Sequence, residues 1–147
     1  MEFKGSFSIG KTVNLVKEFL LDPKQFAECL PGIQNYEVVG DTFRSNFKLD
    51  ISQMKIPHMS TLTTVINAKI LDKADGIEIS GNGRSAGVGV KFNIVLKLSG
   101  NSEYTKLEWR ANIDLGLLSR LLGDENIIKI AEANINHIIS CISTKLS

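Results

Sequence analysis

The most constraining feature of this sequence is the apolar repeat of its last segment. Between residues 124 and 146, apolar residues recur at spacings of three and four, which is the period of one broad stripe on an α-helix. The centre of the stripe holds Ile128, Ala131, Ile135, Ile138 and Ile142, and a flanking row holds Ile127, Ile130, Ile139, Cys141 and Leu146. No proline follows Pro57, so nothing interrupts this helix. At about 1.5 Å per residue the helix is roughly 35 Å long, and its apolar face needs a large surface to cover it.

The segments before this helix alternate apolar and polar residues, which is typical of antiparallel strands with one face in water. The predicted strands cover residues 2–9, 33–39, 42–52, 58–71, 76–84, 88–98 and 103–114. The connections between the later strands are short and rich in glycine and asparagine, which favours a meander of hairpins. The glycine-rich stretch 81–89 is interpreted as one of these hairpin turns, with a bulge.

Two short helices are predicted between the first strand and the second. Residues 11–21 have helical apolar spacing. Asp22 and Pro23 form an N-cap followed by a first-turn proline, and Pro31 with Gly32 ends the second helix. We therefore predict a single α+β domain over residues 1–147, in which a curved antiparallel sheet of about seven strands wraps around the long C-terminal helix. Such a sheet need not close tightly on one helix, so we expect an internal space between them.

Residues 5–12 match the phosphate-binding pattern G-x-x-x-x-G-K-[ST], but the context is wrong for nucleotide binding. Only four residues precede Gly5, too few for a buried parallel strand, and the matching residues continue the alternation of the first strand. Most of the rest of the chain is a series of antiparallel strands, whereas a phosphate-binding loop belongs to βαβ units. We interpret this match as part of a strand.

Composition excludes several classes of protein. Apolar residues make up 43% of the chain and charged residues 22%, so it should fold. The net charge of +1 disfavours binding to nucleic acid. No apolar run approaches the ~18 residues that span a membrane, and the N-terminus lacks the apolar core of a signal peptide, so we expect a cytoplasmic protein. Cys29 and Cys141 lie in predicted helices, and we expect them to be buried, reduced thiols, with a disulfide as the alternative.

The stretch from Asp22 to Ile33 carries a family resemblance. It reads D-P-x-x-x-A-x-C-L-P-G-I, and further support comes from Phe3, Gly5, Phe7, Leu107, Trp109, Ala111, Gly116 and Gly123. This pattern resembles the CoxG family of carbon monoxide dehydrogenase subunits, within the START-like, or SRPBCC, superfamily. The resemblance implies a helix-grip fold with a cavity for a hydrophobic or amphipathic ligand, lipid-like or quinone-like. It also implies an accessory role beside a carbon monoxide dehydrogenase-type molybdenum hydroxylase, in its assembly, its recruitment to the inner face of the membrane, or its hand-off of electrons.

Side chains on the inner face of the sheet and on the stripe of the helix are the candidates for lining the cavity. Ligand pockets are mostly apolar with a few polar groups. The candidates are Phe47, Leu62, Ile66, Phe92, Ile94, Leu107, Trp109, Ala131, Ile135 and Ile138. The alternative is that these residues simply fill a core.

A second group is expected at the cavity mouth or in a contact with a partner. It comprises Pro31, Met54, Ile56, His58, Met59 and Arg84. Exposed methionine and isoleucine side chains in the 52–59 loop suit an adaptable contact surface, for a partner protein or a membrane. The alternative is that these side chains only cover one end of the curved sheet and contact no partner.

Signals for catalysis are few, and we assign no catalytic residue, metal site or cofactor. The histidine and carboxylate patterns of metal sites are absent. The enzymatic alternative is a cyclase, dehydratase or hydrolase of the same superfamily, acting on an aromatic or polyketide-like substrate. It depends on His58 as the acid or base and on Arg84 as an anion partner. A third hypothesis is a ligand-free module for protein interaction.

Overall fold

A computed structural model describes the whole chain, residues 1–147, as seven strands and four helices. In order these are β1 (Glu2–Ile9), α1 (Val13–Leu21), α2 (Pro23–Glu28), β2 (Asn35–Val39), β3 (Thr42–Asp50), β4 (Thr61–Lys73), β5 (Gly76–Ser85), β6 (Val88–Gly100), β7 (Thr105–Asp114), α3 (Leu117–Leu122) and α4 (Asp124–Leu146). The predicted α+β fold is confirmed, including the two short helices after β1 and the extent of the last helix. The caps of α1 and α2 are the side chains of Thr12 and Asp22, which accept hydrogen bonds from backbone N–H groups of the first turn.

All seven strands form one antiparallel sheet in the order β1-β7-β6-β5-β4-β3-β2. The first strand pairs with the last, and the hairpins between β2 and β7 complete the meander. Helices α1 and α2 therefore carry the chain from one edge of the sheet to the other. Residues 5–9, within the phosphate-loop match, lie in β1, as the alternation predicts.

The predicted hairpin turn in the glycine-rich stretch 81–89 is confirmed, but it is shorter than expected, and the rest of the stretch is regularly paired strand without a bulge. Strand β5 continues to Ser85, and the turn itself is Ala86 and Gly87. A Cβ at Gly81 or Gly83 would overlap a backbone carbonyl oxygen of β4. The two glycines lie where adjacent backbones approach closely, which is a known role of glycine inside a strand.

Replacing Gly83 with alanine should destabilise the fold by about 1–3 kcal/mol, because the added methyl group has no room beside β4. Chemical denaturation measures this as a lower midpoint. Gly89→Ala is the matched control, since a Cβ there meets nothing within 4 Å. Equal midpoints for the two variants would show that the close approach of β4 and β5 does not constrain residue 83.

Helix α4 faces the sheet with most of the predicted stripe, since Ala131, Ile135 and Ile138 line the space beneath it, but the buried face is shifted toward the flanking row. The buried residues are Ile127, Ile130, Asn134, Ile142 and Leu146, which belong mainly to the flanking row. Ile128, placed at the centre of the predicted stripe, is 42% exposed. The buried face includes Asn134, a polar residue that a stripe of apolar residues does not include, and this residue has polar partners inside the protein.

The densest packing lies toward one end of the molecule, where α1 and α2 cover the inner face of the sheet. Val16, Leu20, Ile77, Ile79 and Leu107 are almost completely buried there. The hydrophobic cluster extends to Ile142 and Leu146 at the end of α4. The other half of the inner face is packed less densely, and this is where the cavity lies.

Cys29 and Cys141 form a disulfide, so the prediction of reduced thiols is wrong. Cys29 caps the C-terminus of α2, and Cys141 lies in the second half of α4. Their Cα atoms are 5.4 Å apart, within the range that a disulfide requires. The two cysteines are separated by 112 positions along the chain, and only the packing of α2 against α4 brings them together.

Candidate ligand-binding cavity

A cavity of about 180 Å³ lies between the inner face of the sheet and helix α4. Most of its lining is apolar. The helix contributes Ile127, Ile130, Ala131, Asn134, Ile135 and Ile138. The sheet contributes Phe3, Phe47, Leu49, Thr64, Ile66, Ser85, Val90, Lys91, Phe92, Ile94, Ala111 and Ile113. Three residues in and after α2 (Phe26, Leu30 and Pro31) and Leu115 complete the lining.

Most residues proposed from the sequence to line a cavity do so. These are Phe47, Ile66, Phe92, Ile94, Ala131, Ile135 and Ile138, and the proposed mouth residue Pro31 joins them. Leu62, Leu107 and Trp109 do not line it, although they occupy the same alternating positions of their strands. Leu107 is fully buried in the core, while the ring of Trp109 lies against Gly5. Alternation identifies the face of a strand, but it does not say which part of that face is core and which part is cavity.

Asn134 supplies a polar contact between α4 and the sheet. Its side-chain carbonyl accepts a hydrogen bond from the backbone N–H of Asp50 at 3.0 Å, and its amide donates to the Asp50 carbonyl at 3.1 Å. The same amide donates to the carbonyl of Ile130 at 2.7 Å. Asn134 is 5% exposed, so these bonds are shielded from water. Asn134 was not among the residues predicted from the sequence. The feature that could have identified it is the position of an asparagine next to the apolar face of a long helix.

Asn134→Leu should lower the free energy of unfolding by about 1–3 kcal/mol, because it leaves the N–H and C=O of Asp50 without partners. Leucine has nearly the same shape as asparagine, so the loss of unfolding free energy measures the contribution of the hydrogen bonds. Asn136→Leu, at an exposed position of the same helix, is the control and should change stability little. If both variants unfold at the wild-type denaturant concentration, the asparagine does not hold α4 in place.

One wall of the cavity contains a pair of hydroxyl groups. The Oγ1 of Thr64 and the Oγ of Ser85 are 2.9 Å apart on neighbouring strands, and Thr64 also donates to the carbonyl of Leu62 at 3.2 Å. Both residues are buried. The two hydroxyl groups satisfy each other, so they can border an apolar space without leaving an unpaired group.

The 52–59 loop lies outside the cavity lining. Ile56 and Met59 are exposed, as is His58, while Met54 is half-buried. Lys55 and His58 both have positive φ angles, of 53° and 62°. The loop begins with a short 3-10 turn at Ser52–Met54, which lies next to α4. The mouth assignment for these residues therefore stays a prediction.

At the start of this loop, hydrogen bonds from Ser52 hold the carboxylate of Asp50. The Ser52 hydroxyl and backbone N–H favour the charged form and lower the pKa of Asp50 below its ordinary value. A lowered pKa means that Asp50 contributes to stability above the ordinary pKa of an aspartate, and that this contribution is lost as the pH falls through the folded-state value.

The two side chains on which the enzymatic alternative depends face solvent. His58 is exposed, and Arg84 is exposed with its Nη1 donating to the carbonyl of Gly87 at 3.4 Å. Neither residue lines the cavity. An acid or base at His58 with an anion partner at Arg84 therefore has no access to a ligand in this space.

Helix α3 has an apolar side that the sequence analysis did not single out. Leu117 and Leu121 are 59% and 74% exposed, while Leu118 of the same helix is buried. The helix lies between Leu115, which lines the cavity, and the first turn of α4. In the sequence, this helix is recognisable by four leucines in six residues between Gly116 and Gly123. Both glycines adopt positive φ angles.

Comparisons with known proteins give a consistent result. The family model of the carbon monoxide dehydrogenase G subunit (CoxG) matches residues 5–147. No curated protein matches the sequence. None of the helices combines the length and apolar composition that crossing a membrane requires.

Solved structures resemble the whole chain. A conserved protein from Geobacillus kaustophilus has a TM-score of 0.83 at 19% identity, over 99% of this chain and 95% of that one. A START superfamily protein from Mycobacterium smegmatis has a TM-score of 0.71 at 10% identity, over 99% and 96%. The Zhui aromatase/cyclase from Streptomyces sp. R1128 has a TM-score of 0.69 at 14% identity, over 99% and 93%. At these identities the likeness shows the START-like fold.

Proposed function

This chain belongs to the CoxG family of carbon monoxide dehydrogenase subunits, and from that membership we propose that it is an accessory protein which carries an apolar or amphipathic ligand beside a molybdenum hydroxylase. The observation that carries the proposal is the apolar cavity between the sheet and α4. Pockets for small molecules are concave and mostly apolar, with few polar groups, which is the character of this lining.

The volume of the cavity limits what it can hold. An apolar cavity of about 150 Å³ takes one benzene molecule, so about 180 Å³ holds one ring or a short stretch of an alkyl chain. Pockets for larger ligands measure about 300–1,000 Å³. A quinone-like or lipid-like ligand would therefore place one ring or chain end inside and require α4 or α2 to move for the rest.

The opening movement that we propose is a small displacement of α4 against the sheet, which widens a gap near Pro31 and the 52–59 loop. The exposed side chains of Ile56 and Met59 would contact the partner enzyme or the inner face of the membrane during transfer. A cytoplasmic location follows from this role. The ligand, the partner enzyme and the contact are all parts of the proposal.

Two activity assays in a host strain that lacks this gene test the proposed function. Oxidation of the hydroxylase substrate with an added dye measures assembled enzyme, whereas oxidation with oxygen also measures transfer of electrons to the membrane. We expect the oxygen-linked activity to fall and the wild-type gene to restore it. Loss of both activities would assign the protein to assembly, and loss of the oxygen-linked activity alone would assign it to recruitment or electron transfer.

Two results would contradict the proposal. One is a strain without the gene whose dye-linked and oxygen-linked activities both remain at the wild-type level. The other is full restoration by a variant whose cavity is filled, such as Ala131→Phe, because the proposed role depends on the ligand.

A further inference from the structure

The disulfide joins two walls of the cavity. Cys29 lies between Phe26 and Leu30, which both line the cavity from the side of α2. Cys141 lies on α4 one turn after Ile138, which lines it from the other side. The covalent bond therefore fixes the distance between α2 and α4 at the wall of the candidate binding space.

Few other bonds hold α2 to α4. The Nζ of Lys145 donates to the Oε1 of Gln25 at 3.1 Å and to the Oε2 of Glu28 at 3.3 Å. These side chains are partly exposed, and water and salt weaken such a pair. Helix α2 has six residues, far fewer than a helix needs to be stable alone. Helix α2 packs on the sheet through Phe26 and Ala27, and the bond between Cys29 and Cys141 is the covalent restraint on its distance from α4.

The turn after α2 remains attached to the sheet by its own hydrogen bonds. The backbone N–H of Lys48 donates to the carbonyl of Pro31 at 3.1 Å, and that of Gln34 donates to the carbonyl of Asn46 at 2.9 Å. Gly32 lies between these two bonds, with a φ of 54° that favours glycine. If α2 is released from α4, it can turn about this fixed point while β2 and β3 stay paired.

We propose that Cys29 and Cys141 form a redox-controlled clamp that sets the size of ligand the cavity accepts. This inference rests on the proposed function, because it assumes that the cavity binds apolar molecules. In the oxidised protein α2 is held against α4, and the space accepts one ring. In the reduced protein α2 moves outward, and the space accepts ligands with two rings or a longer chain.

The chemical step is thiol–disulfide exchange with a dithiol reductant. Cys29 is fully buried and Cys141 is half-buried, so the reductant thiolate attacks the Sγ of Cys141 and Cys29 leaves as a thiolate. The second thiol of the reductant then closes its own disulfide and releases Cys141. Two electrons and two protons pass from the reductant to the two cysteines. In the cytoplasmic location that we propose, disulfides are usually transient or redox-sensing, which agrees with this assignment.

Two apolar probes of different size test the clamp on the folded, full-length protein. N-phenyl-1-naphthylamine, which has three rings, is followed by fluorescence, and toluene, which has one ring, is followed by calorimetry. Dithiothreitol reduces the protein without denaturant, alkylation with mass spectrometry counts the free thiols, and circular dichroism checks the fold. We expect the larger probe to bind at least tenfold more tightly after reduction, while toluene binds both forms.

The double variant Cys29→Ser with Cys141→Ser should bind the larger probe as the reduced protein does, whether or not dithiothreitol is present. Lys145→Met should strengthen this binding further in the reduced protein and leave the oxidised protein unchanged. Lys129→Met is the matched control, because Lys129 pairs with Glu125 within the first turns of α4. It should have no effect in either form.

Several results would overturn the clamp. Equal affinity of the larger probe for the two folded forms would show that the disulfide does not set the size of the space. Loss of the fold on reduction, or failure of dithiothreitol to reduce the native protein, would make the disulfide a permanent structural bond. If toluene binds while the affinity of the larger probe does not depend on the redox state, the clamp proposal is rejected and the ligand-binding proposal is not. If neither probe binds either form, the proposed ligand-binding function fails as well.

Discussion

Ala131→Phe is expected to abolish the binding of one-ring apolar molecules while the protein keeps its fold. Ala131 lies on α4 and lines the cavity. A benzene ring occupies an apolar cavity of about 150 Å³, so the added phenyl group would fill most of the available 180 Å³. We expect the affinity for toluene to fall about 100-fold, which corresponds to about 2.7 kcal/mol of binding free energy.

The fold should tolerate this change because the ring enters space that already exists. We expect the free energy of unfolding to change by less than about 1.5 kcal/mol. Ala133→Phe is the matched control, since Ala133 lies on the same helix and does not line the cavity. It should leave the affinity for toluene unchanged. Equal binding of toluene by the two variants would mean that the probe does not occupy this cavity.

Reduction of the disulfide is expected to lower the free energy of unfolding by about 2–4 kcal/mol. The bond closes a loop of more than one hundred residues, and in the chain-entropy model a loop of about 100 residues gives a stabilisation near 4.7 kcal/mol. Strain and structure in the unfolded chain usually reduce that figure. For a chain of this size the expected loss in melting temperature is roughly 6–15 °C.

Denaturant titrations with and without dithiothreitol measure this loss. The double variant Cys29→Ser with Cys141→Ser should unfold at the same denaturant concentration in both conditions, which separates loss of the bond from other effects of the reductant. A wild-type midpoint that does not respond to verified reduction would contradict the expected contribution. This stability measurement is independent of the probe-binding test, because the bond can stabilise the fold without setting the size of the cavity.

The fold was largely predictable because its signals are local. The apolar spacing along α4 and the alternation along seven strands involve residues that are two to four positions apart. These patterns identify the helices and strands and their inner faces. The cap formed by Asp22 and the first-turn proline at position 23 are equally local, and they mark the start of α2. The family pattern from Asp22 to Ile33 then connected these elements to one architecture.

What the sequence could not show depends on pairings between distant segments. Asn134 is recognisable as a buried residue only when its partner Asp50 is known, and Ile128 at the centre of the predicted stripe is exposed. Whether Cys29 and Cys141 lie close enough to form a disulfide is likewise set by the packing of two helices. Ile66 and Leu107 have the same alternation, yet one borders the cavity and the other fills the core. The difference depends on where the helices pack on the inner face, which alternation does not show.

The central claim is that the space under α4 holds an apolar molecule in the cell. Native mass spectrometry of the protein, purified from its own host without detergent, tests this most directly. We expect the wild-type protein to carry an added mass that organic solvent removes, and the protein with Ala131→Phe to lack it. A wild-type protein that shows only the mass of its own chain, or an added mass that persists in the variant, would contradict the account.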